Sequence, residues 1–185
     1  MGLPPLLKWR GVGEAEPMAV RVEIFGLFVD PGSGSSIVLL GEANEVTKVV
    51  PIFIGSAEAR AIALGMQGVT PLRPGTHDLT ANVIDLLDAK LERVTVTALR
   101  GGTFLAELEL LTPNGVERLS TRPSDGIALA VRLGVEVCVE KSVLDEAGIE
   151  IEHETDQPFE DAEIEEIVSE FQEFLATAEP SDFDI

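Results

Sequence analysis

Apolar and polar residues alternate from Val20 to Ile24 and then merge into the apolar run Phe25 to Val29, the pattern of a strand with one wet half. Asp30-Pro31-Gly32-Ser33-Gly34-Ser35 reads as a turn. Ile37 to Leu40 and Lys48 to Ile54 complete a three-stranded opening. Gly55-Ser56 ends the third strand, and Ser56 is the expected N-cap of a helix running to Met66. Ala57, Ala61, Leu64 and Gly65 give that helix a small-residue face, expected to pack closely on a sheet. After a Pro- and Gly-rich loop at 68–78, Leu79, Val83, Leu86 and Leu87 recur at i, i+4, i+7 and i+8. That spacing predicts a second helix reaching to about Leu91.

Val94, Val96 and Ala98 alternate with threonines, and Gly101-Gly102 and Pro113-Asn114-Gly115 turn the chain. Residues 92–120 therefore read as a three-stranded meander. Arg122-Pro123-Ser124-Asp125 opens a third helix that ends before Gly134. A short strand at 135–139 and a helical turn at 142–147 follow. Ile164, Ile167, Val168, Phe171, Phe174 and Leu175 then mark an amphipathic helix over 160–175 with an acidic outer face. Antiparallel turns with interspersed helices predict an α+β fold: a mixed, largely antiparallel sheet, three main helices and this acidic terminal helix. The expected organisation is an extension at 1–17, with Met18 a second candidate start, one domain at 18–150 and an acidic tail at 151–185. A domain of that size buries roughly two-thirds of its unfolded surface, enough for a core without staples.

Composition narrows the picture. With eight Phe, one Trp and no Tyr, the core must be mainly aliphatic. Cys138 is the single cysteine, so no internal disulfide forms; its place in Val-Glu-Val-Cys-Val reads as a bystander thiol in a strand. No apolar run approaches the roughly 18 residues of a membrane span, and residues 1–10 lack the ordered regions of a signal peptide, so a cytoplasmic, non-membrane protein is expected.

The net charge of −20 is uneven: residues 150–185 hold 14 acidic residues and no Lys or Arg, while residues 1–149 hold 19 acidic and 13 basic. Such a surface repels phosphate backbones, so any nucleic-acid chemistry needs a local basic patch or a bound cation. GxxxxGK[ST], strand-linked GxGxxG, HExxH, CxxC and GxSxG are all missing. His153 lies in the acidic tail, so any histidine mechanism in the domain rests on His77.

Three segments gather polar residues at helix starts: Ser56-Ala57-Glu58-Ala59-Arg60, Arg73-Pro74-Gly75-Thr76-His77-Asp78 and Arg122-Pro123-Ser124-Asp125. One reading is local: Thr76 and Ser124 cap their helices, while Glu58, Asp78 and Asp125 complement the helix dipoles. The other requires the segments to converge. Helix N-termini and arginines suit phosphate, His77 suits proton transfer, and the carboxylates could hold a cation.

These segments resemble the bifunctional nuclease family. The likeness runs from about Val20 to Ile149 and rests on Pro51-Ile52-Phe53-Ile54-Gly55 with Glu58-Ala59-Arg60-Ala61-Ile62-Ala63, on Arg73-Pro74-Gly75-Thr76-His77-Asp78-Leu79, and on Arg122-Pro123-Ser124-Asp125-Gly126-Ile127-Ala128-Leu129-Ala130. The closing Val143-Leu144-Asp145-Glu146-Ala147-Gly148 fits as well. The resemblance implies an α+β domain that forms a homodimer or higher homo-oligomer and cleaves RNA and DNA. The chain departs from the family at Ser120, where an aspartate is usual, and at Gly126, where alanine is usual.

Two readings result. In the first, a phosphodiesterase uses His77, Asp78, Glu58 and Asp125 as catalytic groups. Arg73, Arg122, Ser124 and Arg60 bind substrate, and Glu58, Asp78 and Asp125 position Mg²⁺ or Mn²⁺. In the second, a non-enzymatic oligomeric module binds a small anion or a protein. A third idea gives the acidic helix the role of a lid over a basic cleft.

Overall fold

A computed structural model describes residues 19–30, 34–43, 48–150 and 161–177. The expected extension at 1–17, part of the turn at 30–35 and His153 lie outside them. Eight strands and five helices follow in the order β1 (Ala19–Val29), β2 (Ser36–Glu42), β3 (Lys48–Ile54), α1 (Ser56–Met66), α2 (Thr76–Leu86), β4 (Lys90–Arg100), β5 (Thr103–Thr112), β6 (Gly115–Thr121), α3 (Pro123–Leu133), β7 (Glu136–Glu140), α4 (Lys141–Ala147), β8 (Ile149–Glu150) and α5 (Asp161–Thr177). The fold is α+β, with one eight-stranded sheet in the order β6-β5-β4-β7-β1-β2-β3-β8. Every neighbouring pair is antiparallel except β4 and β7, joined by a crossover that contains α3.

The meander β4-β5-β6 follows from its turns. Gly101 and Gly102 both have positive φ, 52° and 71°, the conformation a two-residue hairpin needs. Pro51 sits inside β3 yet breaks no ladder on its outer side. The outermost strand, β8, pairs only with Lys48 and Val49, so among the described residues nothing pairs with β3 on that side where the ring lies. The residues from Ile37 to Leu40 are all fully buried, so both faces of the sheet are covered at β2.

The sheet coils strongly. The Phe171 ring of α5 stacks on Phe53 of β3 at 6.1 Å and on Phe104 of β5 at 5.9 Å, although those strands stand five places apart. Ile164, Ile167, Val168 and Phe171 thus join one aliphatic core with β2, β3, β4, α3 and α4. This is the apolar stripe expected of the terminal helix; the side chains of Phe174 and Leu175 lie outside the described set. Cys138 is buried on β7, and burial pushes its thiol above the ordinary value, as befits a bystander.

Helix α2 ends at Leu86, and Leu91 belongs to β4. The apolar spacing predicted a longer helix because it ran on into the strand. No residue of α2 is fully buried: Leu79, Val83, Leu86 and Leu87 face outward, with Leu86 80% exposed. The helix is held by α3 and β4 through its other side.

Candidate functional site

The starts of α1, α2 and α3 meet around a cavity of about 420 Å³. Each helix begins from an extended residue: Gly55, Gly75 and Arg122. Ser56, Thr76 and Ser124 are already inside their helices, and none of the three N-caps carries a side-chain cap bond. The expected hydroxyl caps are absent because the helices start one or two residues earlier than expected. An acid stands three residues beyond each N-cap, and in α2 it takes over the capping. Asp78 Oδ2 accepts the Gly75 N–H at 2.7 Å, and the Glu58 carboxylate folds back over Gly55, where any Cβ would collide with it. Asp125 holds the same place in α3. Carboxylates suit this first-turn position, where free N–H groups and the helix dipole favour negative charge.

These acids are cross-linked by Arg122, His77 and Arg132. Arg122 donates from Nε to Asp125 Oδ2 at 2.6 Å and from Nη2 to Asp125 Oδ1 at 3.1 Å. The same Nη2 donates to Glu58 Oε1 at 2.9 Å, joining α1 to α3. His77 Nε2 lies 2.9 Å from Asp125 Oδ1, joining α2 to α3. Arg132, only 11% exposed, donates from Nε to Asp78 Oδ1 at 2.8 Å and from Nη1 to the carbonyls of Ala61 and Ala128, each at 2.8 Å. One half-buried guanidinium therefore pins α1, α2 and α3 together.

The charges respond accordingly. Hydrogen bonding to Arg132, then to the Gly75 amide, lowers Asp78. Burial works against ionised Asp125, but Arg122 and His77 outweigh it and the net shift is downward. Asp125, followed by Glu58, pushes Arg122 above its ordinary value. An ionised Asp125 can only accept, so His77 Nε2 carries the proton in this hydrogen bond. Among the described residues no hydrogen bond reaches Nδ1.

Seven of the expected site residues line the cavity: Glu58, Arg60, Arg73, His77, Asp78, Arg122 and Asp125. Ser124 does not; it is buried in the first turn of α3. Sequence reading missed Arg132. Its signal was present, since Asp125 and Arg132 stand two helical turns apart on one face. Four guanidinium groups and three carboxylates line the cavity, leaving it locally positive in a chain of net charge −20. Arg60 and Arg73 have no hydrogen-bond or ion-pair partner among the described residues.

The donor set does not suit a divalent cation as it stands. Glu58, Asp78 and Asp125 are each engaged by a guanidinium. No group of three or more His, Cys, Asp or Glu among the described residues is arranged to hold a metal ion. A cation here would have to displace Arg122 or Arg132.

The two departures noted in the sequence also find their places. Ser120 sits on the edge strand β6 opposite Glu107 and does not line the cavity. A carboxylate there would face a like charge rather than the site. Gly126 lies where α3 crosses β4: a methyl group would come within 2.7 Å of Val94 Cγ1. None of the cavity lining comes from α5, so the lid idea has no support in the described helix. No helix among the described residues is long and apolar enough to cross a membrane.

The family model described as "Bifunctional nuclease domain" matches residues 38–152, a span that holds every lining residue. Uncharacterized proteins from two Mycobacterium tuberculosis strains, CDC 1551 / Oshkosh and ATCC 25618 / H37Rv, are each 41% identical to the chain over 163 residues. The match covers 88% of this chain and 97% of each relative.

Proposed function

The chain belongs to the bifunctional nuclease domain family, and from that premise we propose that it hydrolyses phosphodiester bonds of RNA or DNA in the cavity between α1, α2 and α3. The observation that carries the reading is the His77–Asp125 pair in one cavity with two uncommitted arginines. Asp125 fixes the imidazole with Nε2 protonated, which leaves Nδ1 as the general base for an attacking hydroxyl or water. Arg60 and Arg73 hold the phosphate and balance charge as it grows on the phosphoryl oxygens. Arg122 and Arg132 are positioning residues in this account: they aim Asp125 and Asp78 through fixed ion pairs and keep the three helix starts together. No step runs through a cation.

Incubation of the purified chain with labelled single-stranded RNA and DNA, with added Mg²⁺ and with EDTA, tests the reading. Cleavage that falls sharply in the Arg60→Gln, Arg73→Gln double variant supports it; no cleavage in any buffer removes it.

The outward stripe of α2 favours a homo-oligomer. A solvent-facing helix ordinarily turns polar residues outward, and here Leu79, Val83, Leu86 and Leu87 take that place. The non-enzymatic reading keeps one supporting observation: every carboxylate of the site also stands in the first turn of its own helix, where it complements the dipole.

A further inference from the structure

Helix α1 was expected to turn Ala57, Ala61, Leu64 and Gly65 toward the sheet, but they divide between two jobs. Gly65 packs so closely on α3 that a Cβ would collide with Val131. Ala57, Ala61 and Leu64 instead line the cavity, with Pro71 beside them. They form an apolar wall in the cavity that Arg60 and Arg73 also line. Arg60 shares the α1 face of Ala57, Ala61 and Leu64 by its spacing.

The size of the cavity limits what enters. About 420 Å³ falls near the lower end of the ~300–1,000 Å³ range of small-molecule sites. It suits one nucleotide and is far too small for a duplex. The two uncommitted cations provide about two phosphate contacts, and the chain as a whole carries a net charge of −20, so a long strand gains little beyond that unit.

We infer that the cavity takes one unpaired nucleotide, with its phosphate between Arg60 and Arg73 and its base against the wall of Ala57, Ala61, Leu64 and Pro71. The substrates are then strand ends, single-stranded segments and short oligonucleotides, and base-paired nucleic acid is rejected. This rests on the phosphate placement proposed above and adds the base wall to it.

The test is calorimetric binding of adenosine 5′-monophosphate and of inorganic phosphate to the full chain, to Ala57→Phe and to Arg73→Gln. Cleavage rates on one labelled strand, free and annealed to its complement, are measured alongside. Ala57 is exposed, so the larger ring can be added without entering the core; Leu64→Gln serves if that variant does not fold. The nucleotide should bind at least tenfold more tightly than phosphate. Ala57→Phe should erase that difference and keep phosphate binding, Arg73→Gln should weaken both ligands, and the free strand should be cut at least tenfold faster. Its affinity should fall with salt at a log–log slope of about −1.4, as expected for two contacts on a single strand. Equal binding of nucleotide and phosphate, or unchanged nucleotide binding in Ala57→Phe and Leu64→Gln, overturns the base wall while leaving the nuclease reading intact. Selective nucleotide binding without cleavage of any strand supports the wall and overturns the nuclease reading.

Discussion

His77 and Asp125, 48 residues apart in the chain, meet at 2.9 Å through the first turns of two different helices. Asp125 is also clasped by Arg122, which reaches on to Glu58. The contact fixes the orientation of the imidazole and ties the three helix starts to one another rather than leaving each capped by itself.

Asp125→Asn tests the orienting role. The amide can present its carbonyl or its N–H₂ to Nε2 and no longer requires that nitrogen to be protonated. Cleavage should fall by on the order of 10²-fold or more, while circular dichroism stays unchanged and KM moves less than kcat. A loss confined to KM would assign Asp125 to substrate binding instead.

Acid should weaken the fold through the same residues. The folded-state values of Asp78 and Asp125 lie below their ordinary ones. Their contribution is therefore complete above the unfolded carboxylate value of about 3.9 and is lost as pH falls through the lower folded values. Denaturant midpoints measured from about pH 6 down to about pH 2 should drop for the wild type and drop less for Asp78→Asn. Parallel acid limbs for the two proteins would contradict the Arg132–Asp78 assignment.

Gly126→Ala sets two effects against each other. Alanine gains up to about 1 kcal/mol of helix propensity, but its methyl crowds fully buried Val94 at 2.7 Å, and overpacking costs about 1–3 kcal/mol. Crowding should win, giving a net destabilisation of about 1 kcal/mol in a urea titration. A more stable variant would show that α3 can lift from β4 without loss.

Leu86→Glu with Leu87→Glu tests whether α2 meets another copy. These side chains touch no core, so the monomer should keep its fold and its thermal transition. Light scattering should show the wild type as a homo-oligomer and the double variant shifted toward monomer. A wild type that is monomeric at all concentrations would leave the stripe without a role in assembly.

Much of this was legible in the chain. β3 begins and ends, and α1 ends, where the Gly55-Ser56 break and the apolar spacing put them, because local turn chemistry and burial agree there. The end of α2 was misread because Leu91 continues an apolar spacing that only the sheet register interrupts. The site residues were legible as motifs, but their convergence was not. Nothing local tells that Arg122 will reach Glu58, 64 residues away, or that Arg132, at the far end of α3, will tie down Asp78. Hydroxyl capping was overestimated at Ser56, Thr76 and Ser124, since glycine or extended arginine at the N-cap leaves the following acids to satisfy the helix starts. The coiling of the sheet around Phe171 depends on contacts between elements remote in sequence, which no window of residues displays.

The most direct measurement compares wild type and His77→Ala, purified in parallel, for cleavage of one labelled single-stranded RNA under single-turnover conditions. The account predicts a product from the wild type and a rate lower by on the order of 10²-fold or more in the variant, with both proteins folded. Equal rates would contradict it: His77 would then be a helix-joining contact, and the cleavage would belong to another site.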